Sequence, residues 1–463
     1  MVNPLFLPEL REMLATQNEV ELKAFCETLH PARTADFMEG LSADEAWQVL
    51  QHGTDDERVE IFAYFPHEFQ VEILETQPRD QIARLIAEIS PDDRVDMLSG
   101  VEEEIVNELL VLLPAADRRD IMRLSSYPEG VAGAIMTTDL AKLGENLTVR
   151  EAFEALSHSA GDLETIYYLY IVDDAGHLRG VVSTRQLVSS MRKQNTRLAD
   201  IMDTEITTVH VLEDQEEVAR QVARLDLLAI PVLDDERRIV GIITHDDVMD
   251  VVREEATEDA HRIAAVDPLE RGYLQTNLWT MSWKRGIWLT ILFVGALATA
   301  SALQSYEGPL DRWTWLVLFL PLVISCGGNT GNQSATLIIT ALSTGDVKLR
   351  DWAQIMRREL AIGIVLGGFL SVIGYMVACT MAPSLMEAFV LPLTVLLVVI
   401  SGAVLGSALP MVFHRIGWDP ALMSNPFVAG LIDILGILIY MNVAMQLLPL
   451  VEKTLPIVEK AIP

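Results

Sequence analysis

Gly327-Gly328-Asn329-Thr330-Gly331-Asn332-Gln333-Ser334-Ala335-Thr336 is a run of glycines, carboxamides and hydroxyls inside an apolar stretch, and its reading decides the fold. No charged residue occurs from Trp313 to Gly345, a stretch longer than the roughly 20 residues one helix needs to cross a bilayer. The run therefore belongs to a membrane span, and two structures suit it. A helix interrupted here would free backbone amides and carbonyls, which are tolerated at membrane depth only against protein or a water-filled path, so the run would line a pore. Alternatively, its small residues let helices pack closely, as in small-xxx-small contacts.

Working outward, apolar segments at 286–306, 313–342, 360–386, 388–413 and 421–451 are each long enough to cross, giving five spans. Lys284, Arg285, Lys348, Arg350, Arg357, Arg358 and Arg415 fall on one side, and Arg312, Lys453 and Lys460 on the other. By the positive-inside rule the N-terminus is cytoplasmic and the C-terminus outside, as expected for a multi-pass protein of the inner (plasma) membrane. The chain does not open with a basic-then-apolar signal peptide, so its front is likewise expected in the cytoplasm.

Asp433 is the ionisable residue that falls well inside a span, in Asn425-Pro426-Phe427-Val428-Ala429-Gly430-Leu431-Ile432-Asp433-Ile434-Leu435-Gly436. Burying a carboxylate there costs at least ~2.5 kcal/mol, so an ion path or counter-ion role is the default expectation, against a protonated acid bonded to a neighbouring helix. With no Lys, Arg or His at that depth, a mobile cation is the simplest partner. The polar groups of the spans are oxygen donors, which suit magnesium or calcium. Few carboxylates with carboxamides fit magnesium held through its water shell better than a calcium cage. Gly363 with Gly367, and Gly402 with Gly406, read as helix-packing pairs.

Net charge is −32, from 66 acids and 34 bases, and ten of each lie from Trp283 onward, so the whole excess sits in residues 1–282. Such a surface repels nucleic acid and attracts cations. Cys26, Cys326 and Cys379 are scattered, which argues against a disulfide framework or a cysteine metal cluster.

After a short amphipathic helical entry over 1–40, Leu50, Phe62, Leu74, Ile86, Leu98 and Leu110 recur every twelve residues, each preceded by an apolar residue. Turn and cap residues recur at the joints (Gly53-Thr54-Asp55, Pro66, Pro78, Ser90-Pro91-Asp92, Pro114), so the segment reads as short helices stacked in a superhelix. Asp92 and Asp96 stand one turn apart in it, either capping and facing solvent or awaiting a cation.

A longer repeat follows. Leu169-Tyr170-Ile171-Val172-Asp173-Asp174 with Gly180 to Ser183 returns 61 positions on as Ile230-Pro231-Val232-Leu233-Asp234-Asp235 with Gly241 to Thr244. Each copy reads strand, turn, strand, helix, and is introduced by Met136-Thr137 or Met202-Asp203 and a helix. The pair resembles tandem CBS domains. That resemblance implies an adenine-nucleotide site using Ser or Thr followed three residues later by Asp. The second copy has Thr244 and Asp247 but the first has Ser183 and Gln186, which leaves nucleotide binding open. From Val248 to about Trp283 a long helix is expected, with Asp246, Asp250, Glu254 and Glu258 making a negative stripe at its start that calls for a counter-cation. Between a sensor-like domain and a membrane domain, that helix reads as a transmission element.

The order of these parts, with the Gly-Gly-Asn-Thr-Gly-Asn-Gln-Ser-Ala-Thr run and the Asn425-Pro426 to Asp433 and Gly436 motif, resembles the MgtE family of magnesium channels over essentially the whole chain. The expected fold is a multidomain membrane protein: an all-α superhelical repeat domain (1–130), an α/β tandem CBS pair (131–252), a connecting "plug" helix (253–283) and a five-helix transmembrane domain (284–463). The resemblance implies a homodimer in the lipid bilayer with a pore on its two-fold axis, selective for Mg2+ near Asp433, and closed when cytoplasmic Mg2+ binds between the soluble domains and the plug. It implies Asn329, Asn332, Asn425 and Asp433 in the pore, and Asp92, Asp96, Asp214, Glu216, Asp226, Asp247, Asp250, Glu255, Glu258 and Asp259 in the sensor. Ala429-Gly430-Leu431 offers no hydroxyl on the approach to the pore acid. Repulsion among acids would leave the plug free at low magnesium, and bridging ions would hold it closed; moving from mostly open to mostly closed needs ~5 kcal/mol of differential binding. A divalent exporter or ion-coupled transporter would share this composition. No nucleophile–base pair, phosphate loop or Cys/His metal motif suggests an enzyme.

Overall fold

The structure, a computed structural model, describes residues 7–269, 273–274, 276–420 and 425–459, without the side chains of residues 162 and 452–459. The chain forms two compact units, Met1–Arg253 and Glu254–Pro463.

The first unit opens with ten short helices: α1 (Leu7–Ala15), α2 (Glu19–Thr28), α3 (Pro31–Met38), α4 (Ala43–Leu50), α5 (Asp55–Ala63), α6 (His67–Thr76), α7 (Arg79–Glu88), α8 (Pro91–Ser99), α9 (Glu103–Leu112) and α10 (Ala115–Leu124). Their starts follow from the joint residues. Ser42 with Glu45 and Thr54 with Glu57 close capping boxes, and Pro66, Pro78 and Pro114 stand at the N-caps of α6, α7 and α10. Each helix from α3 to α8 packs on the next but one, so the twelve-residue repeat becomes a superhelix. The repeated apolar pairs from Val49–Leu50 to Met97–Leu98 are buried, together with Leu109.

Two three-stranded sheets follow. β1 (Leu140–Gly144), α11 (Val149–Ser159), β2 (Thr165–Val172), β3 (Leu178–Ser183) and α12 (Thr184–Ser190) form one half. β4 (Val209–His210), α13 (Gln215–Leu225), β5 (Ala229–Leu233), β6 (Ile239–Thr244) and α14 (His245–Ile263) form the other. In both, the first strand runs parallel to the second and the second antiparallel to the third. A leading strand that the sequence reading had not separated thus precedes each helix. The halves exchange their lead-ins: Thr137 pairs with Ile242 and Asp203 with Val181. Met136 then crosses Gly241, and Met202 crosses Gly180, where a Cβ would meet each methionine sulfur within 2.6 Å. Glycine is required at both crossings.

The expected single helix from Val248 to Trp283 is corrected. α14 stops at Ile263, and α15 (Leu278–Gln304) starts anew after Asn277, whose side chain accepts from Trp279 N–H. The stop is a Schellman turn. Ala265 takes the left-handed φ of 58°, Val266 N–H donates to His261 O and Ala265 N–H to Arg262 O. The connector is then strapped to α15 by Trp288 Nε1–H donating to Asp267 Oδ1 at 2.9 Å and Lys284 Nζ donating to Pro268 O. Connector residues 270–272 and 275, the first residues of the last span (421–424) and the side chains of Lys453 and Lys460 lie outside the described residues.

The second unit continues through α16 (Glu307–Arg312), α17 (Leu320–Ser343), α18 (Trp352–Met381), α19 (Val390–Arg415) and α20 (Asn425–Glu459). Five segments are long and apolar enough to cross a membrane: Leu278–Gln304, Thr314–Ser343, Leu349–Met381, Glu387–Arg415 and Asn425–Val451. Of the two readings of the glycine-carboxamide run, close packing is the one observed. α17 is helical throughout, without a break at the run. A Cβ at Gly331 would lie 2.0 Å from Ile432 Cδ1, one at Gly402 would lie 2.7 Å from Gly327 O, and one at Gly406 would lie 2.2 Å from Gly331 O. The carbonyls stay in the helix, and the glycines let α17 and α19 approach backbone to backbone and seat Val428 and Ile432 of α20 against α17. Gly363 packs in the same way on Ile400 and Gly367 on Leu396.

Candidate ion-binding sites

In the first unit, α8, the lead into β2 and the start of α14 converge on a cleft of carboxylates. Asp92 is buried, and its Oδ1 has no hydrogen-bond partner. Desolvation, with the charges of Asp93 and Glu164, pushes Asp92 up to about 7. Desolvation and the charge of Asp92 likewise raise Asp247 to about 7, against its bonds from Thr244. Glu164, whose side chain still reaches solvent, is raised to about 7 by desolvation and by Asp247, Asp246, Asp93 and Asp139. All three are acids in which the charged form is disfavoured by its neighbours. A buried carboxylate oxygen without a partner, ringed by further acids, is the donor chemistry a hard cation needs. Among the described residues no three His, Cys, Asp or Glu side chains gather as a ready cage. Magnesium tolerates that, since it usually keeps several of its waters.

The CBS hydroxyl positions turn out to be helix caps. Thr244 N–H donates to Asp247 Oδ2 at 3.1 Å, and Ser183 N–H donates to Gln186 Oε1 at 2.8 Å.

Other sensor candidates are dispersed. Asp214 caps α13, accepting from Glu216 and Glu217 N–H, while Asp226 sits at the opposite end of α13 in the left-handed region. Glu216 pairs with Arg220 at 3.6 Å. Asp96 and Asp250 are exposed, and Asp250 lies 4.0 Å from Arg253. Glu164 and Asp139 were missed by the sequence reading, because they enter the cleft from two separate loops, ahead of β2 and of β1, neither of which carries a charge run.

In the second unit the end of α14 docks on the cytoplasmic ends of the spans. Ile263 packs against the cluster of Ala335, Ile339, Val428 and Ile432. Arg262 pairs with both Glu258 and Asp419. Asp259 is raised, first by desolvation and then by Asp419 and Glu255, against Arg262 and a hydrogen bond with Ser343. Asp259 thus faces an acid the sequence reading left out, Asp419 in the loop after α19, with which Glu258 shares Arg262, while Glu255 adds its charge to Asp259.

Within the spans, Asp433 on α20 is half-buried beside Gly328, where a Cβ would lie 3.4 Å from its Oδ1. Asn425 Nδ2 donates to Thr336 Oγ1 at 3.0 Å, tying α20 to α17. Asn329 Nδ2 donates to Ser325 Oγ at 3.1 Å, and the buried Asn332 Oδ1 has no partner. Ser325, Asn329 and Gln333 form an exposed polar row on α17, continued by the exposed Leu337 and Thr340. Asp433 is not the sole acid in a span. Glu359, placed just outside the third span by the sequence reading, is only 7 % exposed and accepts from Ser334 Oγ–H at 2.7 Å. Its signal was its spacing, four residues before Gly363 on the glycine face of α18.

Comparison with known proteins finds the same order of parts. The family model "MgtE: Divalent cation transporter" matches 320–443, "MgtE intracellular N domain" matches 29–130, and the CBS model matches 132–193 and 198–254. The magnesium transporter MgtE of Thermus thermophilus is 38 % identical over 95 % of this chain and 98 % of its own length. That of Enterococcus faecalis is 36 % identical over 70 % of this chain and 71 % of its own. The crystal structure of the soluble part of a magnesium transporter is similar at 33 % identity and a TM-score of 0.50, covering 54 % of this chain and 97 % of that one. With five spans and an N-terminal domain of the intracellular type, this is a multi-pass membrane protein, and the chain belongs to the MgtE family of divalent cation transporters.

Proposed function

We propose that the chain conducts Mg2+ into the cell down its electrochemical gradient, as a homodimer whose pore lies between two copies of α17 and α20. The observation that carries this reading is the polar row Ser325, Asn329 and Gln333, exposed on a membrane-spanning helix beside Asp433. Carboxamides and hydroxyls facing lipid would go unsatisfied, whereas facing a second copy they line a wet path. Asp433 supplies the charge and Asn329, Asn332 and Asn425 supply oxygens that hold the hydrated ion. This donor set favours a cation that keeps its water shell.

Closure follows from the acids. At low cytoplasmic magnesium, Asp92, Asp247 and Glu164 repel one another, and the start of α14 is held loosely. Mg2+ bridging these carboxylates turns that repulsion into a tie that fixes α14, a tie that neutral side chains cannot make. The far end of α14, through Ile263 and the Arg262–Asp419 pair, then keeps the cytoplasmic mouth of the spans shut. Asp96, Asp214, Glu216, Asp226, Asp250, Glu255, Glu258 and Asp259 add weaker sites, and several acting together make closure steep.

The test is Mg2+ uptake by proteoliposomes of the intact chain with a magnesium gradient and no other ion gradient. Uptake that follows the gradient and falls tenfold or more in Asp433→Ala supports a channel, on the default that an intramembrane acid is functional. Uptake that requires a proton or sodium gradient makes the chain an ion-coupled transporter instead.

A further inference from the structure

At the cytoplasmic ends of the third and fourth spans the second unit holds a cavity of about 440 Å³ that the ion path does not use. Its wall is apolar, made by Trp352 and Met356 from α18 and Met411 and Val412 from α19, and Arg350 and Arg415 stand at its rim. The volume is within the ~300–1,000 Å³ range of small-molecule sites. We infer that this is a binding site for an anionic glycerophospholipid of the cytoplasmic leaflet, its phosphate on the two arginines and its acyl chain along the apolar wall.

Three features point to that occupant. The depth is right: Arg350 immediately precedes α18 and Arg415 ends α19, on the side that carries the excess of basic residues, and Trp352 is 60 % exposed at the level where tryptophans anchor in headgroups. The charge is available: Arg415 is exposed and has no carboxylate partner among the described residues, while Arg350 has only a loose 3.8 Å contact with Asp351. A guanidinium suits a phosphate because its fork of donors matches two phosphate oxygens. The combination is right as well, since a purely apolar groove would accept any lipid tail and a purely basic patch any anion. A basic rim over an apolar cavity between helices selects a lipid that carries both.

The experiment is native mass spectrometry of the intact chain released from nanodiscs containing equal phosphatidylglycerol and phosphatidylcholine. The expected result is retained phosphatidylglycerol, reduced about fivefold by Arg350→Gln or Arg415→Gln and roughly 30-fold by both together. Arg312→Gln, outside the cavity, leaves retention unchanged. Ala408→Trp keeps both arginines but fills the cavity, and it too abolishes retention. Each variant is first checked for an unchanged elution profile and Mg2+ flux, so that loss of lipid is not loss of fold. Equal retention of both lipids, retention that survives the double substitution, or full displacement by inorganic phosphate would each overturn the inference. So would a cross-link between cavity residues of two copies, which would make the face a protein interface.

Discussion

The acid cleft of the first unit and the membrane site of the second handle charge in opposite ways. The cleft crowds Asp92, Asp247 and Glu164 together until each is raised to about 7, in a part of the chain where water can reach most of them. The spans instead spread their few acids: Asp433 stands beside Gly328, and Glu359 is buried with one hydroxyl donor. The difference suits two tasks. A sensor gains steepness from many weak, mutually repelling groups, whereas a path needs few groups, so that an ion can leave as readily as it enters.

The largest expected effect breaks the membrane half. Asp433→Asn keeps the size and removes the charge, and flux is expected to fall by an order of magnitude or more with protein yield unchanged. Gly406→Leu attacks the same half through packing. Its side chain meets the Gly331 carbonyl, and overpacking typically costs about 1–3 kcal/mol, read as a lower unfolding temperature in detergent.

Next comes the cleft. Asp92, Asp247 and Glu164 have raised values when folded, so the folded state binds more protons than the unfolded one between about pH 4 and 7. Without magnesium, stability is therefore full below the ordinary carboxylate range and falls as pH rises through about 7. Limited proteolysis of the intact chain should show faster cleavage of the first unit at pH 8 than at pH 5. Magnesium, or the pair Asp92→Asn and Asp247→Asn, should flatten that dependence. A slope of the opposite sign would mean the cleft is not self-repelling. The smallest effect is expected from Asp419→Asn, which removes one part-exposed partner of Arg262; at ~1 kcal/mol or less it should raise the closing magnesium concentration only several-fold.

The sequence made some of these features legible and hid others for physical reasons. The twelve-residue ladder and the 61-residue repeat are periodic, so the superhelix and the paired sheets could be read from spacing alone. The five spans followed from length and polarity. The glycine-carboxamide run was ambiguous because composition cannot distinguish a broken helix from a tightly packed one. Only the neighbours at Gly402, Gly406 and Ile432 resolve it. The end of α14 was hidden because its stop uses Ala265 in a left-handed conformation, where glycine would have announced it. Glu164 and Asp419 carried no local signal, since their role depends on what the fold sets beside them.

The most direct test of the account is the dependence of Mg2+ flux on magnesium at the cytoplasmic face of proteoliposomes, compared between the intact chain and one with Asp92, Asp247, Glu258 and Asp259 neutralised together. The intact chain is expected to shut steeply as cytoplasmic magnesium rises, while the neutralised chain conducts just as well at low magnesium but no longer shuts. A neutralised chain that still closes at the same concentration would contradict the account, because closure would then arise without the acids on which the mechanism depends.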